Sequence, residues 1–320
     1  MAVRFDDHSA GFAALRRDLR DSNGVRLMDF VRDLKPDFRK VRRDIALGYL
    51  MLAVTIAATA FLPWLGMPAL LAAALGAISV GYWVAYLQLF IHEGAHYNLT
   101  ADRAYNDRFC DLAISWMVGT SIAAYRPFHF QHHRALGMTN DSEHSYFFPL
   151  NLVFFTKSLF GARALEVIAL RHSNSQNTPG RSRNRALWIA PLAHGALILA
   201  ALAVGYWWLA AAWLFGVGAV YPFFGALRQF LEHRDEDASP SVDYSKVDHG
   251  AVTRIFQDGP FSSTFGGAGF NRHLLHHWEP QVSYTRLADF ERFLLDTPLA
   301  EVLEKRRTTY AETFLKLLSI

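Results

Sequence analysis

The feature that most constrains this chain is a pair of long stretches that contain no Asp, Glu, Lys or Arg. The first stretch runs from Ile45 to Ile91 and the second from Ala186 to Leu227. A helix needs about 20 apolar residues to cross a bilayer, and each stretch is more than twice that long. Each stretch is therefore long enough to cross a membrane twice, which argues against an ordinary soluble domain.

Helix-breaking residues near the middle of each stretch divide it into two helices. Pro63 and Gly66 interrupt the first stretch, and Gly205, followed by a pair of tryptophans, marks an interfacial turn in the second. We therefore predict an all-α integral membrane protein with four transmembrane helices. These helices would form two hairpins, hairpin 1 at residues 45–91 and hairpin 2 at residues 186–227.

The basic residues predict which side of the membrane each polar region occupies. All 32 Lys and Arg lie outside the two stretches, and basic residues near spanning helices stay in the cytoplasm. We therefore predict that residues 1–44, 92–185 and 228–320 are cytoplasmic, including both termini. The last two regions would form a helical cap over a single membrane domain, 1–320. The protein would reside in a bacterial inner membrane or in the endoplasmic reticulum.

Charge and cysteine content narrow the possible partners and cofactors. The formal net charge of +3 is small, and basic residues that face the cytoplasm and the lipid headgroups account for it, so no nucleic-acid partner is expected. Cys110 is the only cysteine. The chain alone therefore forms no disulfide and holds no iron–sulfur cluster.

Nine of the 14 histidines fall into four groups along the sequence. These are His92, His96, His129, His132, His133, His233, His273, His276 and His277. Spacings of three and four residues place side chains on one face of a helix, so three of the groups present their imidazoles in one direction. Imidazole binds iron, zinc, copper and nickel, and nine ligands are too many for one such ion. The pattern therefore predicts a site for two metal ions.

The other histidines are expected to have ordinary packing or hydrogen-bonding roles. They are His8, His144, His172, His194 and His249. His194 differs from the rest because it falls within a predicted spanning helix, where ionisable groups are commonly functional. We nevertheless place it outside the predicted metal site.

The first histidine group permits a second interpretation. The string HEGAH at 92–96 satisfies the zinc-protease pattern HExxH, in which Glu93 would be the general base. A protease zinc needs three protein ligands and one open position, which would leave most of the clustered histidines without a role. An intramembrane zinc metalloprotease is therefore a minor alternative.

The histidine boxes read HEGAH at 92–96, HFQHH at 129–133 and HLLHH at 273–277. In their order and spacing they resemble the boxes of the membrane fatty acid desaturase and hydroxylase superfamily, over about residues 92–280. The resemblance implies a histidine-ligated di-iron centre that uses dioxygen to oxidise a C–H bond of a lipid-like substrate. It also implies that His233, which ends the string RQFLEH, is the ninth ligand.

The resemblance extends to residues beside the boxes. The family commonly has an acidic residue after the second box and an asparagine before the third, and Asp141 and Asn271 occupy these places. Gln229 resembles a position from which an amide can hold an iron-bound water. Carboxylates near the ligands are expected to orient the imidazoles by accepting their second N–H. These carboxylates are Glu93, Asp141, Glu143 and Glu232.

The sequence departs from the family pattern after the third box, where Trp278-Glu279-Pro280 stands in place of the usual Leu-Phe-Pro. His273 is retained at a position where front-end desaturases have glutamine. The three residues within the first box resemble those of acyl-lipid, sphingolipid and carotenoid enzymes. These features leave the identity of the substrate open.

The resemblance implies oxygen-dependent desaturation of a fatty-acyl chain or a related lipid. The alternative is hydroxylation of a lipid, sphingolipid, alkane or carotenoid by the same site, and a non-enzymatic membrane protein is a third class. Two electrons per turnover would come from an external ferredoxin or small cytochrome with its reductase. Basic residues such as Arg254, Arg272 and Arg286 are expected to steer an acidic donor.

Overall fold

A computed structural model describes residues 8–143, 145–162, 165–166 and 186–318, and most of these residues are helical. The α-helices span Ser9–Leu15, Leu27–Asp33, Phe38–Phe61, Ala69–Ala95, Arg103–Cys110, Trp116–Val118, Ile122–Ala135, Leu152–Leu159, Ala186–Ala203, Trp207–Phe215, Tyr221–His233, Pro260–Phe265, His273–Trp278, Leu287–Leu295, Ala300–Lys305 and Tyr310–Leu318. Two short strands, Ile255–Phe256 and Arg307–Thr308, pair in parallel. The predicted helical fold class is confirmed.

The chain divides into two compact units, each built from separated parts of the sequence. The first unit contains Met1–Val41, Gln131–Leu150 and Arg228–Ile320. The second unit contains Arg42–Phe130 and Asn151–Leu227. Both charge-free stretches therefore belong to the second unit.

Three helices are long and apolar enough to cross a membrane, namely Phe38–Leu65, Ala69–Ala95 and Trp207–His233. The first two are separated at Gly66, where the backbone takes a φ of 95°. The third begins after Gly205, which has a φ of 84°. Positive φ values favour glycine and end a helix. These are the places at which the sequence predicts helix breaks.

The fourth predicted span corresponds to the helix Ala186–Ala203. Its apolar part, Trp188–Ala203, is shorter than a spanning helix requires. Residues 173–185, which are rich in Ser, Asn and Arg and are predicted to form a loop before this helix, lie outside the described residues. The count of four transmembrane helices therefore stays a prediction.

Glycines allow the helices of the second unit to approach closely. A Cβ added to Gly81 would lie 2.5 Å from the Cβ of Val220 and 2.8 Å from the backbone nitrogen of Tyr221. A Cβ added to Gly216 would lie 2.7 Å from the Cβ of Val80. In a membrane, small residues at helix interfaces stabilise association because they let the backbones come into contact.

Replacement of Gly81 by valine is expected to lower the free energy of unfolding by about 1–3 kcal/mol, because the facing backbone cannot move aside freely. The matched control is Gly195→Val, since Gly195 also lies in an apolar helix and no described atom stands within 4 Å of its Cβ position. Thermal unfolding of both variants in detergent tests the prediction. Equal unfolding temperatures for the two variants would contradict it.

The first unit is organised around an apolar core that joins the two ends of the chain. Leu274 and Leu275, from the helix of the third histidine box, are fully buried in this core. The N-terminal region contributes Phe12 and Leu27 to the same core, and the later helix Leu287–Leu295 contributes Phe290. The third box is thus held by a core that includes residues distant from it in sequence.

Candidate metal centre

Four of the nine predicted ligands converge within the first unit. His132 comes from the helix of the second box, His233 ends the helix Tyr221–His233, and His273 and His277 come from the helix of the third box. Their ligand nitrogens all lie within 4.8 Å of one another. Three separate parts of the chain thus bring four imidazoles together.

The spacing of these ring nitrogens matches that of ligands on one ion. The Nε2 atom of His273 lies 3.0 Å from Nε2 of His233 and 3.2 Å from Nε2 of His277. Two ligands that each bind an ion at about 2.1 Å stand about 3.0 Å apart in octahedral geometry and about 3.4 Å apart in tetrahedral geometry. An all-imidazole donor set is also suitable for iron. The four residues therefore fit the ligand shell of a metal ion.

Hydrogen bonds to the opposite ring nitrogens orient two of these imidazoles. Nδ1 of His233 lies 2.9 Å from the carbonyl oxygen of Val252, which can only accept, so this nitrogen donates. Nδ1 of His132 lies 2.9 and 3.0 Å from the two carboxylate oxygens of Asp141. In a neutral ring, a hydrogen on Nδ1 leaves the lone pair on Nε2. Contacts of this kind normally orient metal-bound histidines.

The other two predicted ligands of the first unit, His133 and His276, contact each other. Their Nε2 atoms lie 3.0 Å apart. The ring centroid of His133 also lies 4.5 Å from that of His277. All six predicted ligands of this unit therefore lie close together.

The remaining predicted ligands, His92, His96 and His129, meet within the second unit. The Nε2 atoms of His96 and His129 are 2.7 Å apart, and the ring centroid of His92 lies 4.4 Å from that of His129. Burial, with a smaller contribution from the Arg126 guanidinium, lowers the pKa of His96 to about 3. The ring is therefore neutral, as metal binding requires.

Asp141 belongs to a hydrogen-bonded chain behind His132. Its carboxylate accepts a short hydrogen bond from the hydroxyl of Tyr146, whose oxygen accepts the backbone N–H of Gly137 at 2.7 Å. Burial opposes protonation of His132, but the carboxylates of Asp141 and Glu143 outweigh burial and raise its pKa to about 9. A fixed negative charge therefore stabilises positive charge on this ring or on an ion bound to it.

Glu93 and Glu232 are buried beside His92 and His273. Oε1 of Glu93 lies 3.6 Å from Nδ1 of His92, and Oε2 of Glu232 lies 4.0 Å from Nε2 of His273. Glu232 also lies 3.4 Å from Nε of Arg228. Hydrogen bonds between nitrogen and oxygen are shorter than these separations. These two pairs of atoms are therefore close neighbours that are not hydrogen-bonded to each other.

Gln229 and Asn271, which the resemblance also places near the metals, contact other residues. The Gln229 amide accepts the backbone N–H of Ser145 at 2.9 Å and donates a short hydrogen bond to Glu143. The side-chain nitrogen of Asn271 donates to Asp258 at 3.1 Å. Neither amide makes a described hydrogen bond to a ligand histidine. Gln229 instead helps to hold the segment that follows Asp141 in the sequence.

Arg254, which the sequence predicts to steer an electron donor, and Tyr146 make contacts that the sequence does not predict. Arg254 is only 5% exposed and donates to the backbone carbonyl oxygens of Leu231 and Arg234, at 3.1 and 2.6 Å. It therefore caps the helix that ends in His233, and it does not belong to an exposed basic face. Its place within the apolar string AVTRIF is a signal of burial, whereas nothing distinguishes Tyr146 from the aromatic residues beside it.

The histidines that are not among the nine predicted ligands contact residues other than those ligands where the structure describes them. In the second unit, His194 places Nε2 2.7 Å from the carbonyl oxygen of Met117, and its Nδ1 accepts the indole N–H of Trp213 at 3.1 Å. His249 is buried in the first unit, where its ring contacts those of Tyr146 and Tyr244. His8 is exposed, and the predictions for His144 and His172 lie outside the described residues.

These features define a helical membrane protein with groups of buried histidines that are able to bind metal ions. The family described as fatty acid desaturase matches this chain over residues 68–310. The match covers more than half of the sequence, and it confirms that the chain belongs to the fatty acid desaturase family. Comparison with curated proteins gave no match.

Proposed function

We propose that this chain uses dioxygen and two histidine-bound iron ions to desaturate a fatty-acyl chain or a related lipid. The proposal is carried by the four-histidine group of the first unit, found in a chain of the fatty acid desaturase family. Imidazole is a suitable ligand for iron, and nine imidazoles are enough for two ions. The group in the first unit would hold one iron, and the three histidines of the second unit would contribute to the other.

The protein's own residues prepare the imidazoles for metal binding. The irons, when bound, supply the activation of dioxygen that removal of hydrogen from an unactivated methylene requires. Asp141 holds the Nδ1–H of His132, and the carbonyl of Val252 holds that of His233, so both rings are oriented in advance. Glu232 is buried beside His273, where an ionised carboxylate would offset part of the charge of a bound ion.

The stoichiometry of desaturation implies an electron-donor partner. The substrate loses two hydrogen atoms from neighbouring carbons, while dioxygen is reduced to two waters. Each turnover therefore consumes two further electrons and two protons. Cys110 is the only cysteine, so the chain cannot hold an iron–sulfur cluster by itself. We therefore propose that an external ferredoxin or small cytochrome, with its reductase, supplies the electrons.

Desaturation and hydroxylation begin with the same removal of a hydrogen atom. In desaturation a second hydrogen leaves the neighbouring carbon, whereas in hydroxylation oxygen is added to the first carbon. A displacement of about 1 Å changes reaction rates by about 100-fold, so the placement of the substrate decides between the two outcomes. We favour desaturation because the boxes and the string that ends in His233 resemble acyl-chain desaturases.

Expression with a suitable reductase, in a host of defined lipid composition, is expected to give lipids that lack two hydrogens at one internal position. Lipid mass spectrometry of the host with and without the gene measures this change. If the only new products are lipids that have gained an oxygen atom, the reaction is hydroxylation and the desaturase assignment is wrong. Membership of the desaturase family argues against the alternative of a zinc protease based on HEGAH at 92–96.

The location of the two termini tests the number of spanning helices. Four spans would place Met1 and Ile320 on the same side, and the distribution of basic residues makes that side the cytoplasm. Three spans would place the termini on opposite sides. Reporter fusions at each terminus are therefore expected to give two cytoplasmic signals. A signal from the opposite side at one terminus would show that the predicted four-span topology is wrong.

A further inference from the structure

The helix of the third histidine box has two faces with different surroundings. Helical spacing places His273, His276 and His277 on one face. Leu274 and Trp278 lie on the other face and are 0% and 5% exposed. This second face is part of the apolar core of the first unit. Whatever holds the apolar face therefore also sets the position of the three histidines.

Two contacts join the far end of this helix to the N-terminal region. The ring of Phe12 stacks on the indole of Trp278, with centroids 4.8 Å apart and planes 12° apart. Arg16 donates two hydrogen bonds to Glu279, from Nε at 2.7 Å and from Nη2 at 2.8 Å. The Glu279 side chain is only 3% exposed. Loss of Arg16 would leave a buried carboxylate without its cation, which is strongly destabilising.

Other contacts fix the N-terminal region itself against the same unit. Leu19 and Leu27 are buried in the shared apolar core, and Phe30 stacks on Phe293 at 4.4 Å between ring centroids. The hydroxyl of Ser22 donates to the carboxylate of Asp296 at 2.5 Å. The N-terminal region therefore lies on this unit over much of its length.

Trp278 and Glu279 are also the residues at which this sequence departs from the usual Leu-Phe after the third box. A leucine has no ring to stack on Phe12, and a phenylalanine cannot accept hydrogen bonds from Arg16. Each of the two unusual residues thus has a specific partner in the N-terminal region. The match to the family begins at residue 68, so these partners come from sequence outside it.

We infer that the N-terminal segment 8–34 positions the third histidine box, with Phe12 and Arg16 as its positioning residues. The inference rests on the proposed metal-binding function of that box. Phe12 and Arg16 hold Trp278 and Glu279, which directly follow His277 in the sequence. The segment therefore limits movement of the helix end from which His276 and His277 project. Metal affinity falls when ligands lose their orientation.

The test compares Arg16→Ala with Arg17→Ala, because Arg17 is an exposed neighbour of the same charge. Hydrogen exchange of the amides at 273–278, followed by mass spectrometry, measures how firmly the helix is held. Release of iron to a chelator measures the consequence for the metal site. Arg16→Ala is expected to speed exchange about tenfold and iron release about tenfold. Arg17→Ala is expected to match the wild type in both.

Two further variants distinguish a loss of positioning from a failure of the protein to fold. The pair Arg16→Met with Glu279→Gln removes both charges and is expected to return both rates to within about threefold of the wild type. Phe12→Leu removes the stack but retains an apolar side chain, and a smaller increase in both rates is expected. Together these variants separate the positioning effect from general loss of stability.

Unchanged exchange in Arg16→Ala would overturn the inference. Faster exchange with unchanged iron release would overturn it as well, because the contact would then be merely structural. A wild-type protein that holds zinc and no iron would refute the proposed function alone. In that case zinc release replaces iron release as the second measurement, and the same comparison decides the inference.

Discussion

Alanine at His233 is expected to abolish product formation, with a loss of more than about 100-fold, since changes to residues behind a ligand already cost about 10–100-fold. The purified wild type is expected to contain about two irons per chain, because nine imidazoles suit two ions. The variant is expected to contain clearly less. The reason is geometric, since Nε2 of His233 lies 3.0 Å from that of His273, and the carbonyl of Val252 orients the ring.

The matched control is His249→Ala. His249 is as buried as His233 and lies in the same unit, but its ring contacts Tyr146 and Tyr244 and is not part of the four-histidine group. This variant is expected to keep its iron. Circular dichroism checks that both variants fold, and metal analysis with product assays measures the effects. Normal iron content and turnover in His233→Ala would show that His233 is not a metal ligand. Stoichiometric zinc without iron in active wild-type protein would refute the di-iron proposal.

Charge-free stretches and helix-breaking residues are sufficient to predict the helical class and the positions of the helix breaks. Charge-free stretches indicate spanning helices, because placing a charged group in the bilayer centre costs free energy. Gly66 and Gly205 could be identified as breaks because a helix rarely continues through such clusters of Gly, Pro and aromatic residues. The fourth span could not be established in the same way, because the apolar part of its helix, Trp188–Ala203, is shorter than a spanning helix requires.

Local spacing predicts which histidines share a helix face, but it does not predict which faces meet. His132, His233 and His273 are far apart in sequence, and only tertiary packing brings their rings together. The resemblance to a known family supplied that information for His233. It could not supply the cap that Arg254 forms on the helix of His233, because that contact joins a side chain to backbone carbonyl groups and leaves no spacing pattern.

Sequence patterns also do not predict the contacts made by the N-terminal region. Phe12 lies in a short amphipathic segment. The spacing of apolar residues does not specify its partner, because one aromatic ring can pack against any apolar surface. Trp278 and Glu279 stand out in the sequence only as departures from a family pattern. Their stack and ion pair with the N-terminal region explain both residues together.

Asp141→Asn is expected to lower iron affinity and turnover by about 10–100-fold, the usual effect of removing a carboxylate that orients a metal-bound histidine. The carboxylate accepts hydrogen bonds from Nδ1 of His132, the hydroxyl of Tyr146 and the backbone N–H of Glu143. An amide has one acceptor oxygen and one NH₂ group, so the substitution turns one accepting position into a donor that faces other donors. It also removes the negative charge that helps to raise the pKa of His132.

Two comparisons make the Asp141 prediction specific. Tyr146→Phe removes one hydrogen bond to Asp141 but leaves its charge and its contact with His132, so a loss below about tenfold is expected. Asp243→Asn changes an exposed carboxylate of the same unit that pairs with Lys246, and no loss is expected. Iron titration and product assays on the three variants should therefore rank Asp141→Asn well below Tyr146→Phe, with Asp243→Asn equal to the wild type. Equal affinity for iron in Asp141→Asn and the wild type would show that this carboxylate does not orient a metal ligand.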